Sequence, residues 1–433
     1  MGASPNEYPR VAIVGGARTP FLRSGTDFTD LPAYELGRMA VAGLLHRSGI
    51  DPGRVERLVL GSVIQDPAVS NLGREVVFAT DLPDDCPAYT VTEACISSLQ
   101  SFQDALWSIQ LGVAGVAIAA GAETLSDAPL RYRRPLRKRL IASQKARGPI
   151  SYLKLLRGLR PGDLAPEAVA IAERTTRETM GQNCERLAKR LGVTREEQDA
   201  LSLASHLNAA KAWDQGLLDE QVLPAWPQPR YQPVRRDNGI RGDTTLEKLA
   251  TLKPAFDRRF GTLTAGNSSF LTDGGAAVLL TREDLLPELG LEPLAIVRGV
   301  ATVAMDPWEE LLLGPALAIP KVLEQAGLEL DQIEVVELHE AFAAQVVAVL
   351  KLLADDAFAR ERLGRDRAVG EIFRERLNGW GGSLSIGHPF GATGARLLMN
   401  CAYRMRSEGA RYGLVAACAA GALGIAVLLE RPS

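Results

Sequence analysis

Apolar residues along the chain fall into short β-rich runs separated by stretches with helical spacing. Residues 10–21 (RVAIVGGARTPF) form a brief apolar run closed by glycines and a proline, which predicts a buried strand. A helical pattern follows at 33–49, then a strand at 55–65 (VERLVLGSVIQ), a strand at 88–95 (AYTVTEAC), a helix at 97–111 and a strand at 115–123 (GVAIAAGAE). Strands alternating with helices of this length imply parallel pairing through right-handed crossovers.

The second half repeats the plan. LAIVRGVATVA at 294–304 answers the opening strand, and GPALAIPKVLEQAGL at 314–328 answers the first helix. IEVVELHEAFA at 333–343 answers residues 55–65, and residues 378–405 run into a helix as the region around Cys95 does. Residues 412–430 (YGLVAACAAGALGIAVLLE) supply the closing strands. The expectation is an α/β protein of two duplicated halves, with a pseudo-twofold axis that brings equivalent loops together.

Between the halves, the pattern breaks. The stretch opens on the basic run Arg131, Arg133, Arg134, Arg137, Lys138 and Arg139, predicts helices at 166–192 and 195–215, and then passes through a proline-rich loop. Residues 253–281 return to a buried-strand composition. The domain reading is therefore a first half over 1–125, an inserted loop or lid over 126–252, completion of the first half over 253–290, and a second half over 291–433.

Composition narrows the class. With 433 residues, 46% hydrophobic and 23% charged, the chain is long enough for a large shared core and reads as globular. A net charge of −3 gives no overall field to recruit nucleic acid or an anionic membrane. The expectation is a cytoplasmic protein, since no uncharged apolar run approaches the roughly 20 residues that span a bilayer. The first ten residues show neither a signal peptide nor a transit peptide, and Asn6 misses the usual myristoylation pattern. Five scattered cysteines argue against a disulfide framework or a zinc knuckle, so no metal is expected.

Four residues stand where chemistry is plausible. Cys95 falls at a strand-to-helix junction, where the positive end of the macrodipole favours a thiolate; taken alone it reads more readily as a buried apolar filler. His388 sits in GHPFGATGAR, a glycine-rich approach to a helix that lets backbone come close to a ligand, or simply makes a tight turn. Cys418 ends a strand among small residues that would also suit close sheet packing. His339 and Glu340 close another strand, and ligands in α/β sheets bind beyond the carboxyl ends of strands. The chain has only four histidines, and two of them fall at such ends.

Taken together, VTEACISS, LHEAFA, GGSLSIGHPFGATGARL and CAAGALGIA resemble the four signature blocks of the thiolase family, in the family's order. The likeness runs through nearly the whole chain, and HEAF with CISS most resembles the branch that serves as β-subunit of the trifunctional fatty-acid-oxidation complex. The resemblance implies a layered αβαβα core and cleavage of 3-ketoacyl-CoA by CoA through an acyl-cysteine, with CoA as co-substrate and no permanently bound cofactor. It makes Cys95 the nucleophile, His388 its activator, Cys418 the acid and base that follows, and His339 an oxyanion donor. The backbone amides of Cys95 and Ala420 would form a second oxyanion hole, and Met180, Arg241 and Ser269 would line the CoA path. It also implies a homodimer, and a hydratase/dehydrogenase α-subunit as partner. The stretch 149–171 would shape an acyl tunnel, and the basic run would attract CoA phosphates or a membrane surface, or remain a solvated face.

Two departures from the family pattern bear on this. Ala419, Ala420, Gly421 and Ala422 stand where family members usually carry three glycines, so Ala422 is expected to be strained if its φ is positive. Glu93 would raise the Cys95 pKa if it faced inward, and is expected to point away. Three alternatives remain open at this point: a biosynthetic acetoacetyl-CoA thiolase, a ketoacyl-synthase-like condensing enzyme, and a non-catalytic thiolase-like lipid-binding protein. The second cysteine and the complete set of four residues count against the last two.

Overall fold

The computed structural model describes residues 8–167 and 172–433. Its strands are β1 (Val11–Arg18), β2 (Leu22–Arg23), β3 (Arg57–Gly61), β4 (Ala88–Val91), β5 (Val116–Glu123), β6 (Arg131–Tyr132) and β7 (Pro166–Glu167). They continue with β8 (Thr272–Arg282), β9 (Ala295–Ala304), β10 (Val335–Leu338), β11 (Tyr412–Ala419) and β12 (Leu423–Glu430). β6 and β7 pair only with each other and β2 joins β8, while the others form one path, β10-β11-β12-β9-β1-β8-β5-β3-β4.

The two ends of this path mirror each other. In the first half β3 runs parallel to β5, β5 antiparallel to β8, and β8 antiparallel to β1. In the second half β10 runs parallel to β11, β11 antiparallel to β12, and β12 antiparallel to β9. The halves meet through a short seam, Ala12 opposite Ile296 and Ile13 opposite Ala295. The duplication that the hydrophobic pattern predicts is present in four strands of each half, with β4 added at the edge of the first.

Side-chain alternation then makes the layers. Ala117 and Ala119 of β5, Val278 of β8, Val415 and Ala417 of β11, and Ile425 of β12 share one core with the helices Ser97–Gln110 and Thr393–Glu408. Ile118, Ala120 and Leu279, on the opposite face, pack on the helix Ala33–Ser48. Leu414, Ala416 and Leu428 turn likewise toward the helix Gly314–Ala326. The order is therefore helix, half-sheet, two central helices, half-sheet, helix, which is the expected αβαβα arrangement. A one-residue slip in any inner strand would exchange its two faces, so the register is strongly specified.

Three local expectations change. The strand expected over 88–95 ends at Val91, and Cys95 instead lies in a 3-10 turn, Ala94–Ile96, entered through Ala94 at φ 47°. The helix expected from 166 begins at Met180, where Thr179 and Gln182 form a reciprocal capping box. Pro166 and Glu167 are strand, and residues 168–171 lie outside the described residues. The strand-like composition at 253–281 gives a strand in the main sheet only from Thr272 onward. The anticipated strain at Ala422 is real, since its φ is 56° in the turn between β11 and β12.

Backbone contact between the halves is unusually close at one place. A Cβ added at Gly121, near the end of β5, would stand 1.9 Å from the Gly391 carbonyl oxygen, and one added at Gly391 would stand 2.6 Å from the Gly61 carbonyl oxygen. Overpacking of this kind costs about 1–3 kcal/mol or more. Gly121→Ala is expected to lower stability in urea unfolding by about 3 kcal/mol. A change below about 0.5 kcal/mol, the range of ordinary surface substitutions, would contradict this reading of the contact.

Candidate active site

Each of the four chemical side chains is delivered by the end of an element. Cys95 follows β4 in the 3-10 turn, His339 directly follows β10, and Cys418 is the last residue but one of β11. His388 follows the short helix Ser383–Ile386, after Gly387 at φ 109°. A residue with a side chain would be strained at that φ, so glycine sets the direction in which the next residue leaves. The pseudo-twofold arrangement brings first-half Cys95 against second-half His339, His388 and Cys418. The Cys95 Sγ and ring nitrogens of His339 and His388 lie within 4.8 Å of one another. The two imidazole centroids are 4.2 Å apart.

Cys95, His388, Cys418 and Ala420 line a cleft of about 500 Å³, with Met180 and Ser269 on its walls. Its lining is mainly apolar, including Phe256, Leu271, Leu312, Phe342 and Phe390. The strand-connecting segment closes over it: Glu173 accepts the Gly421 N–H at 2.5 Å, beside the β11–β12 turn.

Buried carboxylates outside the four blocks' obvious chemistry hold the walls in place. Glu340 accepts from Asn378 Nδ2 at 2.6 Å, Ser205 Oγ at 2.7 Å and the Leu384 N–H at 3.1 Å. It thereby ties the His339 segment to the loop that carries His388. Glu123, at the end of β5, accepts the N–H groups of Val63, Ile64 and Gly391. Burial pushes its pKa up to about 7. Sequence reasoning missed Glu123; the available signal was a carboxylate closing an otherwise apolar strand.

Burial also governs the chemical groups. It pushes the Cys95 thiol up to about 12, opposed by N–H groups of Ala420 and of Cys95 itself and reinforced by Glu123. Cys418 is raised as well, by burial and then by its proximity to Cys95. Burial drives His388 down to about 3, with Arg396 adding to the effect. His339 is held well below the usual histidine range by burial, then by His388 and Arg396. Burial at Cys95 thus acts against the thiolate that a helix terminus would favour. The carboxylate that adds to the shift of the thiol is Glu123, while Glu93 is itself raised by burial and by Asp104.

The remaining candidates divide. Met180 and Ser269 reach the cleft, but Arg241 does not line it. Arg241 is exposed, and its N–H donates to His206 Nδ1 at 3.2 Å; burial lowers the pKa of both His206 and Arg23, and the Arg241 charge adds to each shift. Arg23 stacks on Phe270, next to Ser269, at 4.0 Å from the ring centroid. The result is a positive patch of Arg23 and Arg241. The basic run lies elsewhere, on and before the exposed helix Arg134–Ser143, with Arg131 paired to Glu167 at 2.9 Å. None of its six cations lines the cleft among the described residues. The helix Pro149–Leu156 exposes Ile150 and Leu153, and the last four residues of the proposed tunnel segment, 168–171, lie outside the described residues.

Comparison with known proteins agrees with this geometry. Residues 11–284 match the family described as Thiolase, N-terminal domain, and residues 291–431 match Thiolase, C-terminal domain. A 3-ketoacyl-CoA thiolase of Erwinia tasmaniensis is 47% identical over 97% of this chain and 96% of its own length. The mitochondrial trifunctional enzyme subunit beta of Bos taurus is 46% identical over 99% of this chain and 89% of its own. Among solved structures, human mitochondrial 3-ketoacyl-CoA thiolase in complex with CoA superposes with a TM-score of 0.83, at 28% identity and 98% coverage of both chains. With both halves of the family matched in order across the duplicated fold, the chain belongs to the thiolase family.

Proposed function

We propose that this chain is a 3-ketoacyl-CoA thiolase that cleaves its substrate with CoA to acetyl-CoA and a shortened acyl-CoA, in the degradative direction of fatty acid β-oxidation. The observation that carries the proposal is the convergence of Cys95, His388 and Cys418 on one mainly apolar cleft, with the buried His339 ring 4.2 Å from that of His388. The names of relatives at 46–47% identity support the same activity.

Cys95 Sγ attacks the 3-keto carbon while its proton passes to His388 Nε2. The bond between C2 and C3 breaks, its electron pair forms the enolate of acetyl-CoA, and the Cys418 S–H protonates C2. Cys418, now a thiolate, takes the proton of the incoming CoA thiol. That sulfur displaces Cys95 from the acyl group, and Cys95 recovers its proton from His388. The N–H groups of Cys95 and Ala420 stabilise the oxyanion at the acylated carbon, and His339 and His388 serve the thioester oxygen. Ala420 already directs its N–H at the nucleophilic sulfur.

Because the thiol is raised and the imidazole lowered, a resting thiolate–imidazolium pair is disfavoured. The proton moves as the carbon–sulfur bond forms. A cleft that keeps these groups neutral also excludes the water that would hydrolyse the acyl-enzyme.

Met180 and Ser269 contact CoA within the cleft, and Arg241, with Arg23, attracts its phosphates at the surface. The mainly apolar cleft favours medium- and long-chain acyl groups. The chain acts as a cytoplasmic homodimer, with residues 126–252 as an inserted lid, and is able to enter an assembly with a hydratase/dehydrogenase α-subunit. The trifunctional name of the bovine relative supports that partner. Among the described residues, no helix is long and apolar enough to cross a membrane.

Cleavage of a ladder of 3-ketoacyl-CoA substrates by CoA tests the activity. Turnover of medium and long chains is expected, and activity confined to acetoacetyl-CoA would point to the biosynthetic alternative. Cys418→Ala should lose about 10²–10⁴-fold in kcat, the usual range for general acid–base help, while iodoacetamide still labels Cys95. Labelling that lands mainly on Cys418 in the unmodified protein would reverse the two roles. In His388→Ala the alkylation rate of Cys95 should rise about tenfold per pH unit from neutrality upward, because the thiol is pushed up to about 12. A plateau near neutral pH would show a low-pKa thiolate instead.

A further inference from the structure

Two imidazoles stand with centroids 4.2 Å apart, His388 on the cleft wall and His339 buried beside it, and neither Nε2 has a hydrogen-bond partner among the described residues. Each ring is tethered through Nδ1 to a hydroxyl: His339 to Ser383 Oγ at 3.0 Å, and His388 to Thr393 Oγ1 at 2.6 Å. The two hydroxyls are not equivalent, because their other partners differ.

Ser383 Oγ also receives Arg396 Nη2 at 3.0 Å. A guanidinium has donors only, so the serine oxygen accepts there and keeps its single proton for another contact. Among the described residues the acceptor in reach is His339 Nδ1. Nδ1 then carries the lone pair, and the proton of the ring sits on Nε2. At His388 the counting runs the other way. Thr393 Oγ1 donates to the Pro389 carbonyl at 2.9 Å, so toward Nδ1 it accepts. Nδ1 of His388 carries the proton and its Nε2 presents a lone pair to the cleft.

We infer that Ser383 and Arg396 are positioning residues that hold His339 as the Nε2–H tautomer, opposite to the Nδ1–H tautomer that Thr393 imposes on His388. One ring is thus a hydrogen-bond donor and its neighbour a proton acceptor, on a scaffold that cannot exchange the two. Arg396 is fully buried, and its Nη1 lies 3.8 Å from Glu337 Oε2, while Glu337 Oε1 pairs with Arg404 Nη1 at 2.8 Å. This buried cluster fixes the guanidinium from behind and keeps a positive charge near both rings, which opposes their protonation. The consequence for rate rests on the thiolase reading. An enolate oxygen facing His339 meets an N–H, whereas the other tautomer would present a lone pair and forfeit an oxyanion donor, a loss of about 10²–10³ in kcat where such donors have been removed.

The test is ¹⁵N NMR of the full chain labelled at histidine. Only four histidines are present, so single substitutions of His46, His206, His339 and His388 assign every ring. At neutral pH, His339 is expected to show a pyridine-like Nδ1 and a pyrrole-like Nε2, and His388 the reverse. Ser383→Ala leaves the Glu337 cluster intact and removes only the relay. It should abolish the single-tautomer signature of His339 and lower kcat about 10²-fold, with KM for the 3-ketoacyl-CoA within about twofold. Ser383→Thr, which keeps the hydroxyl, should restore both. A pyridine-like Nε2 on His339 in the unmodified protein overturns the inference. So does a Ser383→Ala variant with unchanged tautomers, or one with changed tautomers and unchanged kcat. The spectra need no turnover: an active enzyme with the wrong tautomer defeats this inference alone, and an inactive one with the stated tautomers defeats the proposed activity alone.

Discussion

Close packing of the glycine loop of the second half against the strand ends of the first half is the contact on which the site depends. Gly391 has no side chain to hold its backbone away from Gly61 and Gly121, and its N–H is received by Glu123. That approach carries His388 from one half of the duplication to Cys95 on the other. Without it, Cys95 and His388 would belong to separate layers of the molecule. Glu123 also receives Val63 and Ile64, so one carboxylate ties three backbone groups around the mouth of the cleft. The price is a buried acid whose pKa is pushed up to about 7.

Burial sets the chemistry in the same way that it sets the fold. A water-poor cleft disfavours every charged form within it, which raises both cysteines and lowers both histidines. In such a medium a fixed N–H aimed at a developing oxyanion is worth more than in water. The chemistry proposed above therefore rests on oriented neutral donors and acceptors rather than on preformed ions. The charge that is retained lies one layer back, in Arg396, Arg404 and Glu337, where it orients rather than reacts.

Much of this was legible in the amino-acid sequence because it rests on periodicity and on end-of-strand positions. The apolar runs give the duplicated strand order, and Cys95, His339, His388 and Cys418 each fall where a strand or glycine loop ends. Other features depend on tertiary packing that no local pattern reports. The apolar run through 88–95 does not reveal that Ala94 adopts a left-handed conformation and turns Cys95 out of the strand. The sign of the Cys95 shift depends on how completely the second half covers it, a long-range property. Ser383 and Arg396 lie inside a recognisable block, yet their bearing on His339 requires a contact across 44 residues of sequence. Arg241, placed by the family resemblance, and the basic run, placed by residue type, show the reverse limit, since neither lines the cleft.

The central claim is that the acyl group is carried by Cys95 at the meeting point of the two halves. Peptide mass spectrometry after mixing the protein with a 3-ketoacyl-CoA in the absence of free CoA tests it most directly. The account predicts a shortened acyl group in thioester linkage on the peptide containing Cys95, released when CoA is added. An acyl group on Cys418, or release of acetyl-CoA with no covalent adduct on either cysteine, would contradict it.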